Sequence, residues 1–129
     1  MRIYILMLVR VACISTSLSM FHSKPESVVW GDTYKVTSYC NCALCCGKAP
    51  THPAYGITAS GKKARAGTIA VDRKVIPMGS KVWIEGIGEC RAEDTGGAIK
   101  GRHIDVWMPT HRAALVHGVK YLNVKVLPN

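Results

Sequence analysis

Short apolar runs separated by glycine and proline recur along the chain from residue 34 onward. Residues 34–39 alternate apolar and polar positions, which is typical of a strand with one buried face. Five further runs of similar length also predict strands. They cover residues 68–71, 81–85, 90–93, 103–107 and 124–127. Several short strands with turn residues between them predict a small β-barrel.

A single helix is predicted near the C-terminus. Thr110 is a suitable N-cap, residues 111–117 fill the helix, and Gly118 follows as a stop signal. The whole chain has 129 residues, a length that suits one domain and excludes large barrels and two-domain dehydrogenases. The pattern therefore predicts a mainly β domain with one short helix.

The first 20 residues predict an export signal rather than a part of the fold. Arg2 is followed by an apolar run over residues 3–9 and then by small residues, in the order of a secretory signal. The run is too short to cross a membrane, which takes about 20 apolar residues. Cys13 leaves a lipid anchor as the alternative, although Arg10 interrupts the apolar zone.

Residues 21–32 are predicted to form a linker and residues 33–129 the folded domain. The chain has 17 basic and eight acidic residues, a formal charge of +9, and loss of the first 20 residues removes only two basic residues. A basic surface suits nucleic acid, an anionic membrane or an anionic wall polymer. Export argues against nucleic acid, so we expect a secreted or wall-associated protein without stable membrane insertion.

The few acidic residues are clustered, with five of the eight between positions 85 and 105. Asp72 and Asp94 end predicted strands, where aspartate commonly caps a turn. Asp105 lies inside a strand between apolar residues, and burial there raises a carboxyl pKa, as a general acid at neutral pH requires. An outward-facing Asp105 would instead be a surface residue. His103 lies on the same strand face as Asp105 and is a candidate to hydrogen-bond to that carboxyl group or tune its acidity.

Two longer segments resemble the 3D (Asp-Asp-Asp) domain family. The first contains YGITASG at 55–61, IAVD at 69–72 and IPMGSKV at 76–82, and the second is EDTGGAIKGRHIDVW at 93–107. The resemblance extends over roughly residues 33–127. It implies that the three aspartates of the family are Asp72, Asp94 and Asp105.

The same resemblance implies a six-stranded double-psi β-barrel, similar to MltA-type lytic transglycosylases and stationary-phase muralytic enzymes. Such enzymes cleave the MurNAc–GlcNAc β-1,4 bond of peptidoglycan, with a 1,6-anhydro product and no cofactor. Asp105 would then be the catalytic acid, with Asp94 and Asp72 in the same groove. The alternatives are a non-catalytic, expansin-like barrel that binds wall glycan and a disulfide-rich interaction module without activity.

Polar residues and glycines of two turns are the candidates for substrate binding. They are Thr58, Ser60, Thr95, Gly96 and Gly97. Each of them is equally suited to forming its own turn. The sequence leaves both interpretations open.

Four cysteines form a compact run, and a fifth, Cys90, lies far along the chain. The run consists of Cys40, Cys42, Cys45 and Cys46. In an exported chain this density predicts disulfides, including a bridge from Cys90 to the run. Zinc is the alternative, because Cys42-x-x-Cys45 is half of a common ligand spacing that another cysteine or His52 would complete. Reduced thiols are the third possibility.

Overall fold

The structure, a computed structural model, describes residues 31–127 and contains a closed six-stranded barrel. The strands are β1 (Thr33–Tyr39), β2 (Thr68–Val71), β3 (Lys81–Ile84), β4 (Gly88–Asp94), β5 (His103–Trp107) and β6 (Lys120–Leu127). Around the barrel they follow the order β1, β5, β2, β4, β3, β6. The predicted export signal and most of the predicted linker lie outside the described residues.

The six predicted strands are confirmed, whereas the expectation of one helix is wrong. The predicted helix is α2 (His111–His117), capped by the Thr110 hydroxyl, and a second helix, α1 (Ala43–Cys46), precedes it. A single turn shows no helical period in the sequence, and Gly47 ends it at a φ of 67°. Neither helix in the described part of the chain is long and apolar enough to cross a membrane.

β-Branched and small side chains fill the barrel interior. The largest of its fully buried residues are Ile69, Ile76, Ile84, Ile104, Val36, Val71, Val82 and Val124. Because side chains alternate between the two faces of a strand, the residues between these positions point away from the core. On β1, β2 and β5, this outer face carries Thr37, Ala70 and Asp105.

A bulge in β4 changes which residue faces outward. Ile69 of β2 pairs with Ala92, but the next residue, Ala70, pairs with Asp94, so Glu93 is the extra residue. Without this insertion, Glu93 would lie beside Ala70 and Asp94 would point toward the core. The bulge therefore places Asp94 on the same outer face as Asp105, which also pairs with Ala70.

The side chain of Glu93 is anchored where the bulge buries it. Only 2% of the residue is exposed. Arg65 donates to both carboxylate oxygens over 3.1 Å, and Lys62 and the Thr68 hydroxyl add further bonds. The Ser60 amide also donates to the Glu93 carbonyl. These contacts fasten the long segment between α1 and β2 to the bulge.

Candidate functional site

A cavity of about 440 Å³ opens on the outer face of the barrel. The segment after β1 and the turn after β4 form its walls. Its charged and hydroxyl-bearing lining residues are Tyr39, Lys48, Thr58, Asp94, Thr95 and Asp105. Two of the three aspartates expected at a shared site therefore lie in one cavity.

Ala70 sets the spacing between those two aspartates. It pairs with Asp105 on one side and with Asp94 on the other, so one strand separates the two acidic residues. With neighbouring strands about 4.8 Å apart, their backbones lie about 10 Å from each other. The short Ala70 side chain keeps the floor between the two carboxyl groups open.

Asp105 has the features of a proton donor. Burial raises the pKa of its carboxyl group, and the nearby Asp94 carboxylate acts in the same direction. A hydrogen bond from Thr37 Oγ1 to Asp105 Oδ1, 2.9 Å long, opposes this rise because it stabilises the charged form. Asp105 is half-buried in the cavity wall, so a bound ligand can still reach it.

His103 is linked to Asp105 through Thr37. The Thr37 hydroxyl lies 2.9 Å from His103 Nε2 as well as 2.9 Å from Asp105 Oδ1. A hydroxyl group has one proton to donate, so when Thr37 donates to Asp105, His103 Nε2 must be the donor to the Thr37 oxygen. This chain of hydrogen bonds orients the Asp105 carboxyl group from the side away from Asp94.

Asp94 is held by three hydrogen-bond donors. Its Oδ1 accepts from the amides of Ala59 and Thr95, both at 2.9 Å, and its Oδ2 accepts from the Tyr39 hydroxyl at 2.8 Å. Burial is the main cause that raises the pKa of Tyr39, and the hydrogen bond to Asp94 is the second. The phenol therefore stays protonated and acts as the donor. Asp94 is therefore a fixed acceptor that joins β1, β4 and the segment before β2.

Asp72 lies in an adjoining, smaller cavity of about 230 Å³. Its carboxylate accepts hydrogen bonds from the amides of Gly101 and Lys74, and these bonds lower its pKa. This is the turn-capping geometry that the sequence allowed as an alternative. Thr95 belongs to the lining of both cavities and connects them.

The predicted substrate-binding residues take different positions. Thr58 lines the main cavity, but its hydroxyl bonds to Ser60 Oγ and accepts from the Lys62 amide, which closes the turn between them. Gly96 lines both cavities, and Gly97 lines only the smaller one. A Cβ on Gly96 would approach Ile99 Cγ1 to 2.9 Å, so this glycine permits a close approach of chain to chain.

Thr37 and Tyr39 are site residues that no pattern in the sequence indicates. Both lie on β1, whose parallel register brings Thr37 beside Asp105 and Tyr39 beside Trp107. The two strands are about 66 residues apart in sequence, and nothing local in the sequence reveals their pairing. The alternation of apolar and polar residues along β1 indicates which side chains face outward. It does not indicate which strand lies beside β1.

The five described cysteines are all free thiols. Cys90 is buried in the barrel core on β4, where its thiol donates to the Gly88 carbonyl. The expected bridge from Cys90 to the cysteine run is therefore not formed. Cys45 and Cys46 lie at the main cavity, and Cys13 falls outside the described residues.

The fold and the site together define a class of protein. Its members are closed β-barrels with two carboxyl groups in an open groove on the outer face. Residues 67–128 match the family model of the 3D domain. This stretch, which contains β2 to β6, belongs to the 3D domain family, as the sequence resemblance indicated.

Two curated relatives come from Bacillus subtilis strain 168. The chain is 55% identical over 76 residues to the cell wall-binding protein YocH, covering 56% of this chain and 26% of YocH. It is 43% identical over 96 residues to YabE, whose name refers to cell wall shaping, covering 74% of this chain and 22% of YabE. The chain thus spans about a quarter of the length of these relatives.

Among solved structures, the chain is similar to the lytic transglycosylase MltA of Escherichia coli. The superposition has a TM-score of 0.49 at 28% sequence identity. It covers 57% of this chain and 27% of MltA.

Proposed function

We propose that this protein binds the glycan strands of peptidoglycan and cleaves them as a lytic transglycosylase, with Asp105 as the general acid. One observation carries the proposal: a half-buried carboxyl group with a raised pKa opens into a cavity whose opposite side holds a second, fixed carboxylate. Membership of the 3D family and similarity to a protein named for wall binding support the choice of substrate.

The reaction needs one group that both gives and takes a proton. Protonated Asp105 donates to the oxygen that leaves C1 of MurNAc as the β-1,4 bond breaks. The C6 hydroxyl of the same sugar then attacks C1 and returns its proton to the Asp105 carboxylate. No water is consumed, the product carries a 1,6-anhydro ring, and the acid is regenerated.

Asp94 serves this scheme as an electrostatic partner. Three donors fix its carboxylate, so it provides negative charge beside an oxocarbenium-like centre without having to move. Asp72, which caps the turn next to Thr95 and Gly96, supports the wall of the groove. Thr58, Thr95 and the backbone around Gly96 are the proposed sugar contacts.

The wider setting follows from the same proposal. Export through residues 1–20 would deliver a basic barrel to an anionic wall, and the groove would act there. The strand connections would be those of a double-psi barrel. The alternative of a non-catalytic glycan-binding barrel is favoured by the name of YocH, which specifies wall binding.

Digestion of purified sacculi tests the function directly. The protein is incubated with insoluble peptidoglycan, and the soluble products are identified by mass spectrometry. We expect muropeptides with a 1,6-anhydro ring, which are 18 mass units (about one water) lighter than their hydrolysed counterparts.

Two other outcomes would contradict the proposal in different ways. Products with free reducing ends would show hydrolysis, so Asp105 would act on water and not on the C6 hydroxyl. Protein that sediments with the sacculi but releases nothing would establish the glycan-binding alternative. A heat-denatured sample gives the background release in each case.

The pH dependence of cleavage tests the role of Thr37. Activity requires protonated Asp105 and falls as the pH rises through its pKa. The Thr37 hydrogen bond lowers that pKa, so Thr37→Val should raise it. Loss of a hydrogen bond of about 1 kcal/mol moves the alkaline limb of the rate profile upward by about 0.7 pH unit.

Thr33→Val is the matched control for this measurement. Thr33 lies on the same strand, but its hydroxyl donates to Asn123 at an exposed position away from the groove. Its alkaline limb should coincide with that of the unmodified protein. An unmoved limb in Thr37→Val would mean that this hydroxyl does not act on the titrating group.

A further inference from the structure

Three thiols and one imidazole converge where β1 ends and α1 begins. The ligand atoms of Cys40, Cys42, Cys45 and His111 all lie within 4.8 Å of one another. His111 is the first residue of α2, about 70 residues further along the chain. Cys45 lines the main cavity, but no member of the cluster is hydrogen-bonded to the His103–Thr37–Asp105 chain, and none has a role in the proposed cleavage.

The separations within the cluster suit a tetrahedral metal ion. Nδ1 of His111 lies 3.4 Å from Sγ of Cys42, 3.4 Å from Sγ of Cys45 and 4.0 Å from Sγ of Cys40. Zinc bonds of about 2.3 Å to sulfur and about 2.0 Å to nitrogen place these atoms about 3.5 Å apart in a regular tetrahedron. The mean of the three observed distances is close to that value.

The sulfur atoms lie slightly closer to one another than in a regular zinc site. Sγ of Cys40 lies 2.9 Å from Sγ of Cys42 and 3.5 Å from Sγ of Cys45, against about 3.7 Å in a regular zinc site. An adjustment of less than about 1 Å at one cysteine side chain completes the geometry. Such an adjustment needs only a small rotation about one side-chain bond.

Local structure explains why these residues meet. The single turn of α1 folds Cys45 back over Cys42, whose carbonyl accepts from the Cys45 amide over 3.1 Å. The Cys42 amide in turn donates to Sγ of Cys40 over 3.4 Å, a contact that also stabilises a thiolate ligand. The bond from the Met108 amide to the Tyr39 carbonyl holds the approach to α2 beside the end of β1.

The remaining described cysteines do not belong to the cluster. The Cys46 thiol turns away and donates to the Cys40 carbonyl over 3.0 Å. Cys90 is buried in the barrel core on β4. The fourth candidate ligand is therefore an imidazole, His111, and not one of the residues that the sequence offered for that position.

We propose that Cys40, Cys42, Cys45 and His111 bind one Zn²⁺ ion in a tetrahedral Cys₃His site. Binding releases the three thiol protons, and the neutral imidazole donates through Nδ1. Thiolate and imidazole ligands in a tetrahedral set favour zinc over the hard cations that prefer oxygen. Four protein ligands leave no open position, so the ion has a structural and not a catalytic role.

Such an ion would tie α1 to α2 at one wall of the main cavity. Cys45, Cys46 and Lys48 contribute to that wall, and the ion would hold them in place independently of what the groove binds. The proposal therefore stands whether the barrel cleaves glycan or only binds it.

Metal analysis of the full chain tests the site. The protein is purified under reducing conditions, loaded with zinc chloride, passed over a desalting column, and analysed by mass spectrometry for zinc. We expect about one zinc per chain. Replacement by Co²⁺ should give the strong visible absorption of a tetrahedral cobalt–thiolate complex.

Two variants distinguish this ligand set from others. His111→Ala and Cys45→Ser should each lose zinc to a chelator that leaves the unmodified protein loaded. Cys46→Ser is the matched control, because it removes a neighbouring thiol outside the cluster, and it should keep about one zinc per chain. Loss of zinc in Cys46→Ser, or full retention in His111→Ala, would overturn the assignment.

Thiol labelling of the unmodified protein avoids any doubt about variants that fail to fold. With zinc present, peptide mapping should find Cys40, Cys42 and Cys45 protected, while the exposed Cys46 reacts. Removal of zinc should make the protected thiols reactive. If protein that is kept anaerobic takes up no zinc and contains disulfides among these three cysteines, the proposal is contradicted.

Discussion

Asp105→Asn is expected to lower the rate of glycan cleavage by about 10²–10⁴-fold, the usual contribution of a positioned general acid. Asparagine has nearly the same shape and still accepts the bond from Thr37, but it has no carboxyl proton to give. Binding to sacculi should persist, because the groove keeps its shape. The measurement is the initial rate of soluble muropeptide release at several enzyme concentrations.

Asp32→Asn is the matched control for this substitution. Asp32 is exposed, and its carboxylate pairs with Arg102 rather than with a group in the groove. Its cleavage rate should equal that of the unmodified protein. If Asp105→Asn also kept the full rate, while remaining folded by circular dichroism, the acid would have to be another residue.

Arg65→Ala is expected to lower the free energy of unfolding by about 2–3 kcal/mol, because it leaves a buried carboxylate without its main partner. Arg65 supplies two hydrogen bonds to Glu93, and only Lys62 and Thr68 would remain. The loss of stability is expected at the bulge of β4, the feature that turns Asp94 toward the groove. Urea denaturation followed by circular dichroism measures the change.

Arg73→Ala provides the comparison, because Arg73 is exposed in the turn after β2. It should change the stability by less than about 0.5 kcal/mol. The double variant Arg65→Ala with Glu93→Gln removes the unpaired charge and should recover part of the loss. A double variant less stable than Arg65→Ala alone would show that charge burial is not the cause.

The strands and α2 were predictable from the sequence because their signals are local. Alternation over residues 34–39, the apolar run ending at Asp72 and the cap at Thr110 each depend on neighbouring residues alone. Family resemblance then singled out Asp72, Asp94 and Asp105 as candidate site residues. Asp94 and Asp105 line one cavity, whereas Asp72 lines an adjoining one.

What the sequence did not reveal depends on contacts between distant segments. The partnership of Thr37 with Asp105 and the arrival of His111 beside the cysteine run both follow from barrel closure. The bulge at Glu93 is equally hidden, because a strand with one extra residue reads like any other strand. Single-sequence patterns give the face of a residue, whereas its neighbour is set by topology.

Closure of the barrel also restricts how the domain can recognise anything. Each of the six described strands is hydrogen-bonded to two neighbours, so none of them is an edge strand of the kind to which an extended peptide adds. A partner must be recognised by side chains and loops, which favours a ligand rich in hydroxyl and amide groups over one that adds a strand. The same property hinders copies of the domain from joining through their sheets.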